Sequence, residues 1–457
     1  MERNDLTKGP IASKMLKYFL PLAAGNIFQQ LYFAVDALIV GRYAGTLALA
    51  AVGGSASAVS LAVTNFFIAL CGGGTIMIAQ FYGANNYGAL KKAVHSSILF
   101  SFIIGLIISG SAYMLTERIL LLTKVPAESL ALSRDYMQII FAGLIFTLVF
   151  NMAAGILRAV GDSKTPFIIV TASCIINIVF DYVLIAVVGL GVKGAAIATV
   201  FSQFVCALVA VLKLVFAGDN VYRLRLSCLR IDFRILGRML AVGVPLALQS
   251  VMYSITNVAS QVCINTLGTV AVASWGLLGR IDGFFWAMMS AANTTMSNFA
   301  GQNFGKKDYE RMKKGLVSGL IIFECIAVIY SVFLLSCGRF IVPLFDPNPD
   351  VVSTTVTMFF CFAPFYPVWV VNEVFSGSLR GEGKTLVPFF ILMFSVCIFR
   401  LIWMNSIFVA HPTIPGLALM YPVSWAIADI GIVIYYFLHI KKNRATPVTR
   451  SQEGTIS

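Results

Sequence analysis

Long apolar stretches, separated by short polar segments, run along the whole chain. A helix of about twenty apolar residues crosses the ~30 Å hydrocarbon core of a bilayer, because each residue adds about 1.5 Å. The stretches are continuously apolar and do not alternate as barrel strands would, so the pattern predicts an all-α integral membrane protein. We predict twelve transmembrane helices, at residues 15–40, 52–76, 93–116, 135–157, 166–189, 194–217, 239–266, 276–300, 315–336, 354–379, 386–408 and 416–440.

The second half of the chain repeats the loops of the first. AQFYGANNYGALKKA after the second predicted span is matched by GQNFGKKDYERMKKG after the eighth, and GILRAVGDSKTP by GSLRGEGKTLVP. The repeat aligns Arg158 with Arg380 and Pro21 with Pro245. Six spans in each half make a parallel repeat about an axis along the membrane normal, with a site expected between the two pseudo-symmetric lobes.

The repeat also sets the predicted domain boundaries. We predict a cytoplasmic leader (1–14), a first six-helix lobe (15–217), a cytoplasmic linker (218–238), a second six-helix lobe (239–440) and a cytoplasmic tail (441–457). Arginines in the linker are interspersed with Leu, Phe and Ile, as in a segment that lies at a membrane interface. A solvated linker that carries charge only for topology is an equally good interpretation.

Composition and charge placement agree with a membrane protein. Hydrophobic residues make up 59% of the chain and charged residues 12%, about half the charged share of a soluble domain. The formal net charge is +13, but most Lys and Arg residues lie in the leader, the tail and the loops on the same side as the termini. The positive-inside rule therefore predicts that both termini are cytoplasmic. We expect a monomer in a lipid bilayer, with no nucleic-acid partner.

The residues that serve most metal sites and nucleophilic enzymes are scattered. The nine cysteines form no C-x-x-C pair, and the three histidines have no ligand spacing. Buried small apolar residues explain most of the cysteines. We therefore expect neither an enzyme nor a bound cofactor.

Two carboxylates lie inside predicted spans of the first half, Asp36 on the first span and Asp181 on the fifth. A carboxylate inside a bilayer is costly unless it is paired or hydrated, so each is a functional candidate. Asn177 shares a helix face with Asp181, and Thr199 on the sixth span lies at a similar depth when 1.5 Å is counted per residue. The four side chains can converge and offer oxygens to a hard cation such as Na⁺ or share a proton. A purely structural role is the alternative.

The loop motifs and the twelve spans in two halves resemble the multidrug and toxic compound extrusion (MATE) family, over roughly residues 10–440. The resemblance implies an exporter of amphipathic, mostly cationic drugs or toxic metabolites, driven by H⁺ or Na⁺, in a bacterial or archaeal plasma membrane. In one branch the coupling ion binds in the first lobe. The positions of that site match Asp36, Asn177, Asp181 and Thr199, with Ala195 as a backbone-carbonyl ligand. Other branches use a glutamate on the seventh span, where this chain has YSITN (253–257) and no carboxylate.

Aromatic, Met and polar residues on spans one, seven and eight are candidates for a substrate cavity. Such a lining suits varied organic cations through cation–π attraction and adaptable Met packing, although each residue taken alone is more simply explained by packing. The predicted lining residues are Phe28, Gln29, Tyr32, Tyr253, Asn257, Asp282, Phe285, Met288 and Met289. Pro21 weakens the helix ladder of the first span and is a predicted hinge.

The second half carries its own charged groups in or near spans, Asp282, Glu324, Glu373, Arg400 and Asp429. Ion pairs among them or contacts with substrate would explain them. They do not repeat the acidic pair, because Asp36, Asn177 and Asp181 align with Ser260, Phe399 and Trp403. We therefore predict a coupling ion in the first lobe alone.

A flippase for a lipid-linked precursor is the alternative function on a related two-lobe fold. Such a protein should hold a pyrophosphate with cationic residues in its central cavity. The intramembrane charges of the first half are acidic, so the sequence favours a cationic cargo.

Overall fold

The computed structural model describes residues 5–123 and 125–445 and is helical over nearly all of them. Residues 1–4 of the predicted leader, Lys124 and residues 446–457 of the predicted tail lie outside the described residues. We number the spans in chain order. They are Ile11–Ala44, Thr46–Gly83, Tyr87–Leu122, Ala127–Ala142 with Leu144–Ala159, Lys164–Val187, Gly191–Val215, Phe233–Asn265, Thr269–Gly305, Tyr309–Leu344, Pro349–Gly381, Leu386–Phe408 and Ile414–Leu438. The last helix continues to Ala445.

Most of these spans are apolar enough to cross a bilayer. Within the described residues ten helices are long and apolar enough, and an eleventh results if Ala127–Ala142 and Leu144–Ala159, bent by 42°, form one span. Span 8, Thr269–Gly305, is 37 residues long but carries many polar side chains. Several of them, including Asp282, Gln302 and Asn303, are buried among neighbouring helices, so span 8 lies inside the molecule.

The helices extend beyond most of the predicted apolar windows because polar residues cap their ends outside the hydrocarbon layer. The side chain of Asn86 accepts a hydrogen bond from the backbone N–H of Ala89 (3.1 Å) at the start of span 3. Asp308, its counterpart in the repeat, caps span 9 through the N–H of Arg311 (3.0 Å). Such caps satisfy backbone donors that an apolar window does not reveal.

Spans 1 and 7 each pack against both lobes. The first half of span 1 contributes Met15 and Phe19 to the apolar core of spans 8–12. Its second half reaches spans 5 and 6, where Phe28 packs near Phe167 and Tyr32 lies near Thr199. Span 7 does the reverse, since Met239 belongs to the core of spans 2–6 and Ile264 packs in the second lobe. The predicted boundaries at residues 15 and 239 therefore separate the two halves of the sequence repeat. They do not separate two packed cores, because spans 1 and 7 each contribute to both.

The lobes meet closely at the face that carries the turns at residues 84–86, 160–163, 306–308 and 382–385, which we call the basic face. A Cβ atom on Gly83 of span 2 would overlap the carbonyl of Gln302 on span 8. A Cβ on Gly305 would likewise overlap the carbonyl of Gln80. The two contacts are equivalent in the repeat, so glycine at both positions lets the helices close this face symmetrically.

The leader and the linker are docked rather than free. Leu6 is fully buried in the second lobe, where its backbone N–H donates to the side chain of Gln302 (3.2 Å). In the linker, Tyr222 and Leu224 are buried in the first lobe, and the N–H of Asp232 donates to Ser96 Oγ (2.9 Å). Apolar linker residues are thus used for packing against span 3 and its neighbours.

Candidate functional site

The carboxyl groups of Asp36 and Asp181 lie side by side in the first lobe. They lie within side-chain hydrogen-bonding range of one another, and their exposed fractions are 8% and 0%. One oxygen of each, Oδ1, is buried without a hydrogen-bond partner among the described residues. Neither carboxyl forms an ion pair with any basic side chain in the part of the chain that the structure describes. The pair therefore offers free oxygens to a small cation.

Asn177 and Thr199 complete a polar cluster around the pair. In the orientation of its amide that satisfies both neighbours, Asn177 donates to Asp181 Oδ2 (2.8 Å) and accepts from the backbone N–H of Thr199 (3.2 Å). The Thr199 hydroxyl lies 3.4 Å from the hydroxyl of Tyr32. The structure thus brings together the four side chains that the sequence placed at one depth. It adds Tyr32, which we predicted in the substrate cavity.

Both aspartates lie within one turn of a departure from regular α-helix. Span 1 turns into a π-helix at Val40–Ala44, and span 5 does so at Tyr182–Val187, immediately after Asp181. Single π-helical turns occur frequently at functional sites. Apolar periodicity does not distinguish a π-helical turn from an α-helical one, so these turns could not be predicted from the sequence.

Two further residues complete the surroundings of the pair. Ala195 is buried one helical turn before Thr199, in a small apolar cluster. Tyr136, half-buried against the same cluster, lies close enough to interact electrostatically with Asp36 and Asp181. Tyr136 was missed because it lies in the first helix of span 4, which is the less apolar of the two.

A cavity of about 340 Å³ lies between the lobes, further from the basic face than the Gly83 and Gly305 contacts. Spans 2, 7 and 8 supply most of its lining, and the ends of spans 4 and 10 supply the rest. Its polar lining residues are Thr75, Arg158, Gln249, Ser250, Tyr253, Asn293, Thr294, Ser297, Asn298 and Arg380. The polar side of span 8 thus faces a space between the lobes.

Comparison with known proteins places this geometry in a family. A sequence model of the MatE family matches residues 21–183 and 245–404, one match in each half of the repeat. The chain belongs to the MatE family. It is therefore a multi-pass membrane transporter rather than an enzyme, which confirms the family resemblance and the absence of an enzymatic role predicted from the sequence.

Relatives and solved structures agree with this assignment. The chain is 26% identical to the probable multidrug resistance protein YpnP of Bacillus subtilis over 95% of this chain and 97% of that one. It is 27% identical to YoeA of the same organism, with 96% of each chain covered. A MOP-superfamily transporter from Pyrococcus furiosus is 21% identical and superposes with a TM-score of 0.90 over 98% of this chain and 99% of its own. The predicted all-α, twelve-helix, two-lobe fold is confirmed.

Within the MatE fold, the predicted substrate-cavity residues separate into two groups. Tyr253 lines the cavity between the lobes, and Met288 is half-buried beside the second-lobe core. Phe28, Gln29 and Asn257 are exposed on spans 1 and 7. These five residues have side-chain surface available in this conformation.

Phe285 and Met289, which we also predicted in the substrate cavity, are enclosed in this conformation. Both have 0% of their surface exposed and belong to the core of the second lobe. Phe285 stacks on Tyr366 with ring centroids 4.2 Å apart, and Tyr366 donates a hydrogen bond to the buried Asp282. An apolar pattern shows that a helix is buried, but not which of its faces meets a cavity.

The charged groups of the second lobe do not form the ion pairs expected of them. Within the described residues no ion pair includes Asp282, Glu324, Glu373, Arg400 or Asp429. Glu373 instead accepts a hydrogen bond from the indole N–H of Trp369 (2.9 Å). Arg400 donates to Ser424 Oγ (2.9 Å) and lies 4.0 Å from the ring centre of Tyr421. Neutral polar and aromatic groups thus make these contacts of Glu373 and Arg400, while Asp429 lies near enough to Glu324 and Glu373 to interact with them electrostatically.

Proposed function

We propose that this protein is an H⁺- or Na⁺-coupled antiporter that exports amphipathic organic compounds by alternating access. The observation that supports the proposal most directly is the buried contact between the carboxyl groups of Asp36 and Asp181. Ionised carboxylates only accept hydrogen bonds, so two of them in contact need a shared proton or a bound cation between them. Asn177 and Thr199 add further oxygens to such a site. The cation site would hold Na⁺ on Asp36, Asn177, Asp181 and Thr199, with the carbonyl of Ala195 as a further ligand.

The proposed coupling step acts on span 1. This helix carries Asp36 in one lobe and Met15 in the core of the other, so a change in charge at Asp36 alters a helix that joins the two lobes. Pro21 lies between these two residues inside the helix and is the proposed bending point. Ion and substrate would each bind one arrangement of the lobes better than the other, which is what exchange requires.

The positive-inside rule gives the proposed orientation. It assigns the basic face and both termini to the cytoplasm of a bacterial or archaeal cell. With the basic face closed by the Gly83 and Gly305 contacts, the conformation described here is then the outward-facing one. The proposed contacts for a bulky apolar substrate are the cavity residue Tyr253, the exposed Phe28, Gln29 and Asn257, and the half-buried Met288.

Dye efflux from proteoliposomes tests the coupling. Vesicles loaded with a fluorescent organic cation receive a proton gradient or a sodium gradient in turn, and dye release is followed with time. One of the gradients should drive release by the native protein. Driven release that persists unchanged in Asp36→Asn, at equal reconstitution, would reject the proposed site.

A flippase for a lipid-linked precursor is a second candidate, favoured by one observation. That function requires cationic residues in the central cavity, and Arg158 and Arg380 line the cavity between the lobes. The multidrug-resistance names of the relatives favour the exporter. Cells that lack the gene distinguish the two functions, because a flippase mutant accumulates the lipid precursor and an exporter mutant becomes sensitive to organic compounds.

A further inference from the structure

Two arginines that are equivalent in the repeat face the same cavity. Arg158 lies in the last turn of span 4, and Arg380 lies in the last turn of span 10. Both line the cavity of about 340 Å³ between the lobes. No acidic side chain is among the lining residues that the structure describes there, so two positive charges share one cavity without a negative one.

Arg158 has no partner that would explain it as a structural residue. Its guanidinium makes no hydrogen bond or ion pair within the described residues, and its Nε atom is buried and unpartnered. Outside the helix ladder its hydrogen bonds within the described residues are made by its backbone carbonyl, which accepts from the hydroxyl of Tyr18 (2.8 Å) and from the N–H of Gly161 (3.0 Å). An arginine at a helix end often serves the last carbonyl groups, but Arg158 donates to none of those described.

Arg380 is held in place by neutral groups. Its two terminal nitrogens donate to Asn293 Oδ1 (2.9 Å) and to Gln249 Oε1 (3.1 Å). Gln249 in turn donates to the hydroxyl of Tyr253 (3.1 Å). These amides fix the guanidinium at the cavity, and its Nε atom also lacks a partner. The carboxyl group of Glu373 is near enough to interact with Arg380 electrostatically, but it forms no ion pair with it and does not line the cavity.

We infer that this cavity binds the anionic group, a carboxylate or phosphate, of an amphipathic substrate. Arginine recognises such groups through charge-assisted hydrogen bonds, and an unpaired charge within a membrane marks a ligand path. The inference rests on the proposed export function and narrows its substrate class. Zwitterionic and acidic compounds are accepted at the arginines, whereas a purely cationic compound is repelled there.

Binding of a matched pair of dyes tests the inference without any ion gradient. A rhodamine ethyl ester is a cation, and its free acid is a zwitterion of nearly the same shape. Fluorescence anisotropy gives their dissociation constants for the whole protein in phosphatidylcholine nanodiscs. Arg158→Gln should weaken binding of the free acid about tenfold and strengthen binding of the ester, because one repulsive charge is removed. Arg158→Lys should retain part of the binding of the free acid.

Arg280→Gln is the matched control, because Arg280 is exposed and does not line the cavity; it should alter neither dissociation constant. Equal weakening of both dyes by Arg158→Gln, or no weakening of the free acid, would overturn the inference. In a further pair of measurements, the nanodisc lipid is changed to phosphatidylglycerol, or inorganic phosphate is added. If phosphatidylglycerol abolishes binding of the free acid and inorganic phosphate does not, the arginines bind a lipid phosphate, and the substrate assignment is overturned. Gradient-driven efflux of the free acid by the native protein tests the proposed export function separately.

Discussion

In the first lobe, Asp36 contacts Asp181 on span 5 beside Thr199 on span 6; in the second lobe the positions equivalent to Asp36 and Thr199 hold Ser260 and Tyr421. The hydroxyl of Tyr421 is 3.1 Å from Ser260 Oγ, and the guanidinium of Arg400 lies over its ring. One lobe thus presents unpartnered carboxyl oxygens where the other presents a fixed positive charge. A guanidinium in that place repels any second cation.

Nearer the basic face the two lobes do not differ in this way, because they carry the same residues in equivalent positions. Gly83 and Gly305 make equivalent close contacts, and Arg158 and Arg380 line one cavity. At about 1.5 Å per residue, Asp181 lies about 26 Å along span 5 from its basic-face end. Closure between the lobes is therefore built from repeated residues, and the chemistry that differs between the lobes lies near the opposite side of the membrane. The following predictions test this contrast.

The largest effect should come from neutralising the acidic pair. Asp36→Asn and Asp181→Asn should each reduce gradient-driven dye efflux by about tenfold or more, the size of a typical coupling free energy, because the pair can no longer exchange its charge. Ser260→Ala, at the equivalent position of the second lobe, should change efflux by less than about twofold, since it removes one neutral hydrogen bond. Equal losses in both lobes would contradict the contrast.

Adding a methyl group to the glycine contacts should destabilise the closed basic face. Gly83→Ala and Gly305→Ala should each lower the free energy of unfolding by about 1–3 kcal/mol, because a Cβ atom overlaps backbone on the facing helix. Gly276→Ala is the control, since nothing lies within 4 Å of its added Cβ. Thermal unfolding in detergent measures all three variants. Unequal effects at Gly83 and Gly305 would show that this closure is less symmetric than its sequence.

Two substitutions of Tyr421 should separate the contribution of its hydrogen bond to Ser260 from that of its cation–π contact with Arg400. Tyr421→Phe keeps the ring and loses the bond to Ser260 Oγ, so it should cost about 1 kcal/mol of stability. Tyr421→Leu also removes the cation–π contact, which adds about 2 kcal/mol for a desolvated pair. In an Arg400→Met background this additional cost should shrink. If Tyr421→Leu has the same additional cost in the Arg400→Met background, the ring stabilises the protein by packing and not through the charge of Arg400.

The smallest effect concerns the cap of span 7. Asp232 accepts hydrogen bonds from the backbone N–H groups of Ile235 and Arg234 (3.1 Å each). The Ile235 bond chiefly, with help from Lys92, lowers the pKa of the Asp232 carboxyl below its ordinary value of 3.8. Asp232→Ala should cost about 1 kcal/mol of stability at neutral pH.

The dependence on pH has a definite sign. A carboxyl group with a lowered pKa in the folded protein contributes stability above its unfolded pKa and loses it as the pH falls through the folded pKa. The stability difference between the native protein and Asp232→Ala should therefore be constant at neutral pH and shrink below about pH 4. If this stability difference stays constant in acid, the charge of the Asp232 carboxyl does not contribute to the cap.

The spans and the acidic cluster could be predicted because each depends on few, local rules. Hydrocarbon thickness and helix rise place Asp36, Asp181 and Thr199 at one depth, and the spacing of Asn177 and Asp181 puts them on one face. These rules need no knowledge of which helices touch.

What the sequence did not reveal depends on which helices touch. Phe285 and Met289 lie on a helix that is apolar on several sides, so only packing shows that they face the second-lobe core. Arg158 was counted as a loop charge because the apolar window ended before it, whereas the helix continues to Ala159. The aligned arginines were the available signal, and their common cavity emerged only from the way the lobes meet.

The crossing of spans 1 and 7 has a consequence for biogenesis. A ribosome that has delivered residues 1–232 to the membrane has made six spans, yet the core of the first lobe still lacks Ile235 and Met239. The beginning of span 1, with Met15 and Tyr18, must meanwhile remain without the helices that cover it until spans 8 and 9 are inserted. Neither half can therefore mature ahead of the other, and two separately synthesised halves should be stable only after they have found each other.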